Sequence, residues 1–148
     1  MVTRNGLVCW ERCIVRYGKK SYFIEVSETG SYSVPGTGAR VRLARCSGKR
    51  SSVAGETALL ARDIEPPLVV RSRRRGDEIL LEHGATSLKE LFAGWKVSEG
   101  QRNVVPVLAD RKGVVAVLAT ALGGPSRVRR SARAAGDENE DCIVVRME

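Results

Sequence analysis

The chain has 148 residues, and its 25 Lys and Arg outnumber 17 Asp and Glu for a formal net charge of +8. That balance favours a polyanionic partner, RNA or DNA ahead of a membrane surface. No apolar run approaches the ~20 residues of a membrane span, and Met1 to Trp10 lacks the apolar core of a signal peptide, so the expected setting is cytoplasmic with no membrane.

Gly6 to Arg16 and Ser21 to Val26 are β-rich runs around Tyr17-Gly18-Lys19-Lys20, which predicts a hairpin. Ser31 to Val34 leads into the turn cluster Pro35-Gly36-Thr37-Gly38. Arg40 to Arg45 alternates charged and apolar residues, the period of a strand with one wet face. Ser47 to Gly55 is polar and predicts a loop, while Thr57 to Arg62 fits strand or helix equally. Pro66-Pro67 fixes an extended approach and divides the chain into a β-rich lead-in, residues 1–65, and a mixed part, residues 66–148.

In the second part, Leu68 to Val70 and Glu78 to Leu81 predict strands flanking an Arg-rich turn, with a glycine loop after them. Thr86 to Trp95 predicts a helix capped by Thr86 or Ser87, with Glu90 at capping-box distance from Ser87. Leu88, Leu91, Phe92 and Trp95 fall at i, i+3, i+4 and i+7 and give it an apolar face; Lys89 and Lys96 lie off that stripe. Ser98 to Asn103 adds a short helical turn. Val104 to Leu108 and Gly113 to Ala119 predict a hairpin around Asp110-Arg111-Lys112-Gly113. Arg127 to Arg133 and Cys142 to Arg146 read as closing strands, with the acidic loop Gly136 to Asp141 between them.

The four cysteines show no CxxC pair and His83 is the only histidine, so no zinc site and no other metal is expected, and the thiols are expected reduced. The chain has no GxxxxGK[ST], GxGxxG, HExxH or GxSxG. No catalytic residue is assigned, and His83 reads as a loop residue. Aromatic content is only 5%, which argues against a stacking platform for single strands.

The densest feature is Arg71, Arg73, Arg74 and Arg75, followed by Gly76-Asp77. Guanidinium groups stay charged and offer a planar fork of donors, which suits phosphate oxygens. Arg71, Arg73, Arg74, Arg75, Lys89, Lys96 and Arg102 are therefore the candidate RNA-binding residues. Gly76 and Asp77 are the turn-forming ones, Asp77 by bonding its own backbone. One of Arg71 or Arg73 is expected to turn inward and brace the turn through Asp77 or a carbonyl. Arg127, Arg129, Arg130 and Arg133 either extend the basic face or form the wet side of a closing strand. A protein-interaction module, or a general RNA-binding module of a cytosolic protein, fits the same charge.

The same stretch resembles the C-terminal domain of tRNA(Ile)-lysidine synthetases. That family shows R-x-R-R-x-G-D, then L-K-x-L-F, a K-V or K-I-P junction, an Arg and a P-V/L strand. This chain supplies Arg71, Arg73, Arg74, Gly76 and Asp77, then Leu88, Lys89, Leu91 and Phe92, then Lys96-Val97, Arg102 and Pro106-Val107. Arg75 stands where the family commonly has proline, Ser98 replaces a further proline, and the S-G-G-x-D-S pyrophosphate loop of the family's ligase portion is missing. The resemblance implies an α+β fold, β-rich, with one or two short helices packed on mixed or antiparallel strands; a related fold occurs in the β subunit of phenylalanyl-tRNA synthetase. It implies tRNA(Ile) as partner, held by its acceptor stem or body, and a catalytic N-terminal domain in cis or trans. ATP and Mg are implied for that domain and no cofactor for this chain. There a wobble cytidine is adenylated and lysine displaces AMP.

Overall fold

A computed structural model describes residues 7–10, 13–18, 21–34, 38–46, 56–119, 126–133 and 141–148. In chain order the strands are β1 Leu7–Trp10, β2 Cys13–Gly18, β3 Ser21–Val26, β4 Gly30–Ser33, β5 Arg40–Cys46, β6 Glu56–Leu60, β7 Leu68–Arg71, β8 Glu78–Leu81 and β9 Gly84–Ser87. The helices α1 Leu88–Gly94 and α2 Glu99–Arg102 follow, then β10 Val107–Asp110, β11 Gly113–Leu118, β12 Ser126–Val128 and β13 Cys142–Met147. The fold is α+β.

One sheet has seven strands in the order β1-β2-β3-β7-β10-β11-β12, a second has four in the order β4-β5-β13-β6, and β8 and β9 form a hairpin. Every pairing among the described strands is antiparallel. Strand pairing crosses Pro66-Pro67, since β3 pairs β7 with Ile24 opposite Val70.

Alternation along the strands decides the layers. Tyr22, Ile24 and Val26 of β3, Leu68 and Val70 of β7 and Leu108 of β10 face one way. They meet Val41, Leu43, Ile143 and Val145 of the four-stranded sheet in the first core. The opposite face of the large sheet offers Val107, Val114 and Val117, and Ile79, Leu88, Phe92 and Val105 close over them as a second core. The hairpin β8–β9 and α1 thus form a third layer on the large sheet. Truncating a fully buried side chain such as Phe92 to Ala would cost about 3–5 kcal/mol, from lost transfer energy and the cavity left behind.

Several predicted boundaries move. The first β run is two strands, β1 and β2, and the ambiguous Thr57 to Arg62 is β6 followed by a 3₁₀ turn, Ala61–Asp63. Residues expected in a glycine loop form β9, which takes Thr86 out of the helix and leaves Ser87 as the cap. The two strands expected to flank the Arg-rich turn are present and belong to different sheets: β7 lies between β3 and β10, while β8 pairs β9. Arg127 to Arg133 is a three-residue strand and a 3₁₀ turn, Arg130–Ala132, because Arg129 turns inward. The Ser47 to Gly55 loop, Pro35-Gly36-Thr37 and most of the acidic loop lie outside the described residues.

Candidate nucleic-acid interface

The Arg-rich segment begins as the last residue of β7. There the side chain of Arg71 emerges on the face of the second core, in register with Phe23 on β3 and Val107 on β10. It is only 6% exposed. Its Nη1 donates to Asp77 Oδ2 at 2.7 Å and Nη2 to Asp77 Oδ1 at 3.0 Å, a bidentate pair, and Nη1 also reaches the Ser72 carbonyl at 3.1 Å. Arg71 is thus the inward brace expected of one of the two arginines.

The turn it braces runs from Arg74 to Asp77. The Asp77 N–H donates to the Arg74 carbonyl at 3.1 Å, and the Asp77 carboxylate accepts from the Arg74 N–H at 2.6 Å. Gly76, with φ +85°, occupies the third position, where a type II turn demands a left-handed residue. Arg75 occupies the second position, the one such turns often give to proline. The Asp77 carbonyl then accepts the Leu88 N–H at 3.0 Å, which ties the turn to the start of α1. Ser87 caps that helix, its Oγ accepting from the Glu90 N–H at 3.1 Å.

With Arg71 and Asp77 committed to each other, the remaining arginines project outward around an open hollow of about 520 Å³. Arg73, Arg74 and Arg75 form one wall and Ser87, Leu88 and Lys89 another. Gly76 and Asp77 of the turn, with Glu99 and Asn103 from α2 and its end, complete the lining. Asn103 Oδ1 accepts from Arg73 Nε at 3.2 Å, and Glu99 lies 3.8 Å from Arg73 Nη2 with its own side chain 88% exposed. The Arg74 guanidinium lies 5.5 Å from the centre of the Phe23 ring, a cation–π contact that orients its donors. Arg74, Arg75 and Lys89 are exposed. The hollow therefore presents four side-chain cations against the exposed carboxylate of Glu99, the Asp77 carboxylate that also lines it being paired with Arg71, and can donate several charge-assisted hydrogen bonds to anionic oxygens.

The other predicted residues lie elsewhere. Lys96 is exposed past the far end of α1, and half-buried Arg102 donates from Nε to the Val97 carbonyl at 3.0 Å, holding the α1–α2 junction. Arg129 is buried between Asp63 and Asp110, Arg133 pairs with Glu82, and Arg127 lies 6.0 Å from the Trp95 ring centre. Phe23 and Asn103 were not anticipated. Alternation in Ser21 to Val26 could have put Phe23 on the face opposite Tyr22 and Ile24; nothing in the sequence singles out Asn103.

Among the described residues no group of three or more His, Cys, Asp or Glu is placed to hold a metal ion. No described helix is long and apolar enough to cross a membrane. The donor set of the hollow suits an anion rather than a divalent cation.

No protein-family model matches the chain. In sequence it is similar to a tRNA(Ile)-lysidine synthase of Clostridioides difficile (strain 630), 38% identical over 50 residues. That match covers 34% of this chain and 11% of the relative's length. In structure it is similar to a crystal structure of the TILS C-terminal domain, with a TM-score of 0.71 and 22% identity, over 86% of this chain and 96% of that one. Sequence over a third of the chain and fold over most of it agree, and the resemblance to the C-terminal domain of tRNA(Ile)-lysidine synthetases holds at both levels.

Proposed function

We propose that this chain is a tRNA-binding module that holds tRNA(Ile), by its acceptor stem or body, for a catalytic portion in cis or trans that forms lysidine at the wobble cytidine in the cytoplasm. ATP and Mg serve that portion. The observation that carries the reading is the division of labour among the arginines. Arg71 is withdrawn to fix the turn, while Arg73, Arg74 and Arg75 converge with Lys89 on one hollow. Duplex RNA is met through phosphates, 2′-hydroxyls and shape, because its deep groove is too narrow for side chains. A rigid turn bearing fixed guanidinium groups fits that surface.

Fluorescence anisotropy with purified tRNA(Ile), an unrelated RNA duplex and a DNA duplex of equal charge, across a salt series, tests the reading. Four phosphate contacts give a slope of log K on log salt of roughly −3 to −4. Arg73→Ala with Arg74→Ala takes away about half of that slope. Equal binding to all three polyanions, or a double variant that binds like the parent, rejects the proposal.

A further inference from the structure

Lys96 is the only non-glycine among the described residues with a left-handed backbone, φ +56°. It follows the helix cap Trp95 at the end of α1. There the Val97 N–H donates to the Phe92 carbonyl at 3.0 Å and the Lys96 N–H to the Ala93 carbonyl at 3.1 Å. That double bond pattern is the Schellman stop, whose left-handed position is ordinarily glycine because a Cβ is disfavoured there. The side chain that the chain keeps at this position is exposed and has no hydrogen bond or ion pair to any described residue. A strained position held by a residue with no local partner points outward, to something the side chain meets.

The residue before it supplies the rest of the patch. Trp95 is half-buried, its ring edge-on to Phe92 at 6.1 Å between centres, and the exposed Arg127 of β12 lies over it. Arg127 is 32 positions from Trp95 in sequence and reaches it only because β12 is the edge strand beside β11. Lys89 and Lys96 are seven residues apart, roughly 10 Å along the helix axis. One phosphate cannot bridge that gap.

We infer that Lys96, which follows Trp95 in the chain, and Arg127, which lies over the Trp95 ring, form a second phosphate-binding point for RNA. The first is the hollow at the other end of α1, so the helix lies along the strand that it grips. The inference rests on the RNA-binding reading of that hollow, and extends it to a longer footprint of at least two separated phosphates. Arg127 is held by the indole face while unliganded and turns its donors to the anion when RNA arrives.

Lys96→Gly is the useful variant, because it relieves the left-handed strain and removes the cation together. In the full chain, binding of tRNA(Ile) is measured by anisotropy across salt for Lys96→Gly, Arg127→Ala and the double variant. Thermal midpoints are recorded alongside, and Trp95 emission is followed in a Trp10→Phe background. The expected result is a raised midpoint for Lys96→Gly with several-fold weaker binding. Its slope should fall by roughly 0.7 to 0.9, and that of the double variant by about twice as much. Trp95 emission should change on RNA addition and saturate with the anisotropy. If the double variant keeps the parent slope and affinity while Arg73→Ala with Arg74→Ala loses them, the hollow binds RNA and this second point does not exist. If both doubles behave like the parent, the reading of the hollow fails as well.

Discussion

Arg71 and Arg73 stand two positions apart and carry the same charge, yet one is 6% exposed and the other lines the hollow. The difference comes from where β7 ends. Arg71 is its last residue, and the guanidinium meets a carboxylate already fixed by the turn; Arg73 belongs to the loop beyond. Removing one partner of a buried ion pair leaves the other charged and unpaired, at a cost of about 3–5 kcal/mol. Arg71→Ala is therefore expected to lower the urea midpoint strongly. Arg71→Lys should recover little, since an ammonium cannot bond both carboxylate oxygens through a planar fork. Arg74→Ala, which removes an exposed cation–π contact, costs at most about 1 kcal/mol and acts on binding instead. Equal losses in Arg71→Ala and Arg74→Ala would dismiss the bracing role. The sequence offered both arginines for this role and could not choose between them, because the choice depends on a strand end fixed by pairing with β3 and β10.

At the scale of elements, α1 was the most legible part. Its apolar spacing, a cap at Thr86 or Ser87 and its position after the Arg-rich turn all follow from local chemistry, and Leu88 and Phe92 are fully buried as the spacing implies. The hairpin β10–β11 was legible for the same reason, a short turn between two apolar runs. β9 was not: Gly84 reads as a loop glycine and Thr86 and Ser87 as helix caps, and the strand exists because its backbone pairs β8. Nor was the insertion of β7 between β3 and β10, since alternation encodes which face is buried and says nothing about which strand lies alongside. Phe23 came to lie under the Arg74 guanidinium through that pairing, and so went unforeseen. The Ser87 cap also separates stability from binding. Ser87→Ala should cost about 1 kcal/mol by leaving the Glu90 N–H without its acceptor. Ser87→Asp keeps an acceptor there but sets a second carboxylate beside Lys89, so it should fold like the parent and bind tRNA(Ile) more weakly. If Ser87→Asp binds as the parent does, the wall at Ser87 is not near the bound polyanion.

The largest charged network serves the whole molecule rather than the hollow. Arg129 follows β12 and is buried between Asp63, in the 3₁₀ turn after β6, and Asp110, at the end of β10, with contacts of 2.8 Å and 3.0 Å. Ser131 and Lys112 also donate to Asp63, and the Glu65 and Lys112 N–H groups to Asp110. The Arg111 N–H donates to the Glu65 carbonyl at 2.9 Å, so the segment entering β7 is tied to the β10–β11 turn. The cluster thus latches the connection between the two sheets. Burial alone would raise both carboxyls. The Arg129 guanidinium and the other donors outweigh it and hold both below the usual aspartate range. Carboxyls depressed in the folded state bind protons more readily in the unfolded chain. Their contribution is therefore complete above the unfolded value of about 3.9 and is lost as pH falls through the lower folded values. Arg129→Leu leaves Asp110, whose side chain is fully buried, without its counter-charge, at a cost of about 3–5 kcal/mol at neutral pH. In that variant the backbone N–H donors still oppose burial but the guanidinium no longer does, so Asp110 takes up a proton more readily than in the parent and acidification relieves the unpaired charge. The stability gap between parent and Arg129→Leu, measured by urea unfolding at pH 7 and near pH 4, should therefore narrow markedly on acidification. A gap that stays constant would mean that Arg129 acts through packing and that the charge pairing adds nothing to the latch.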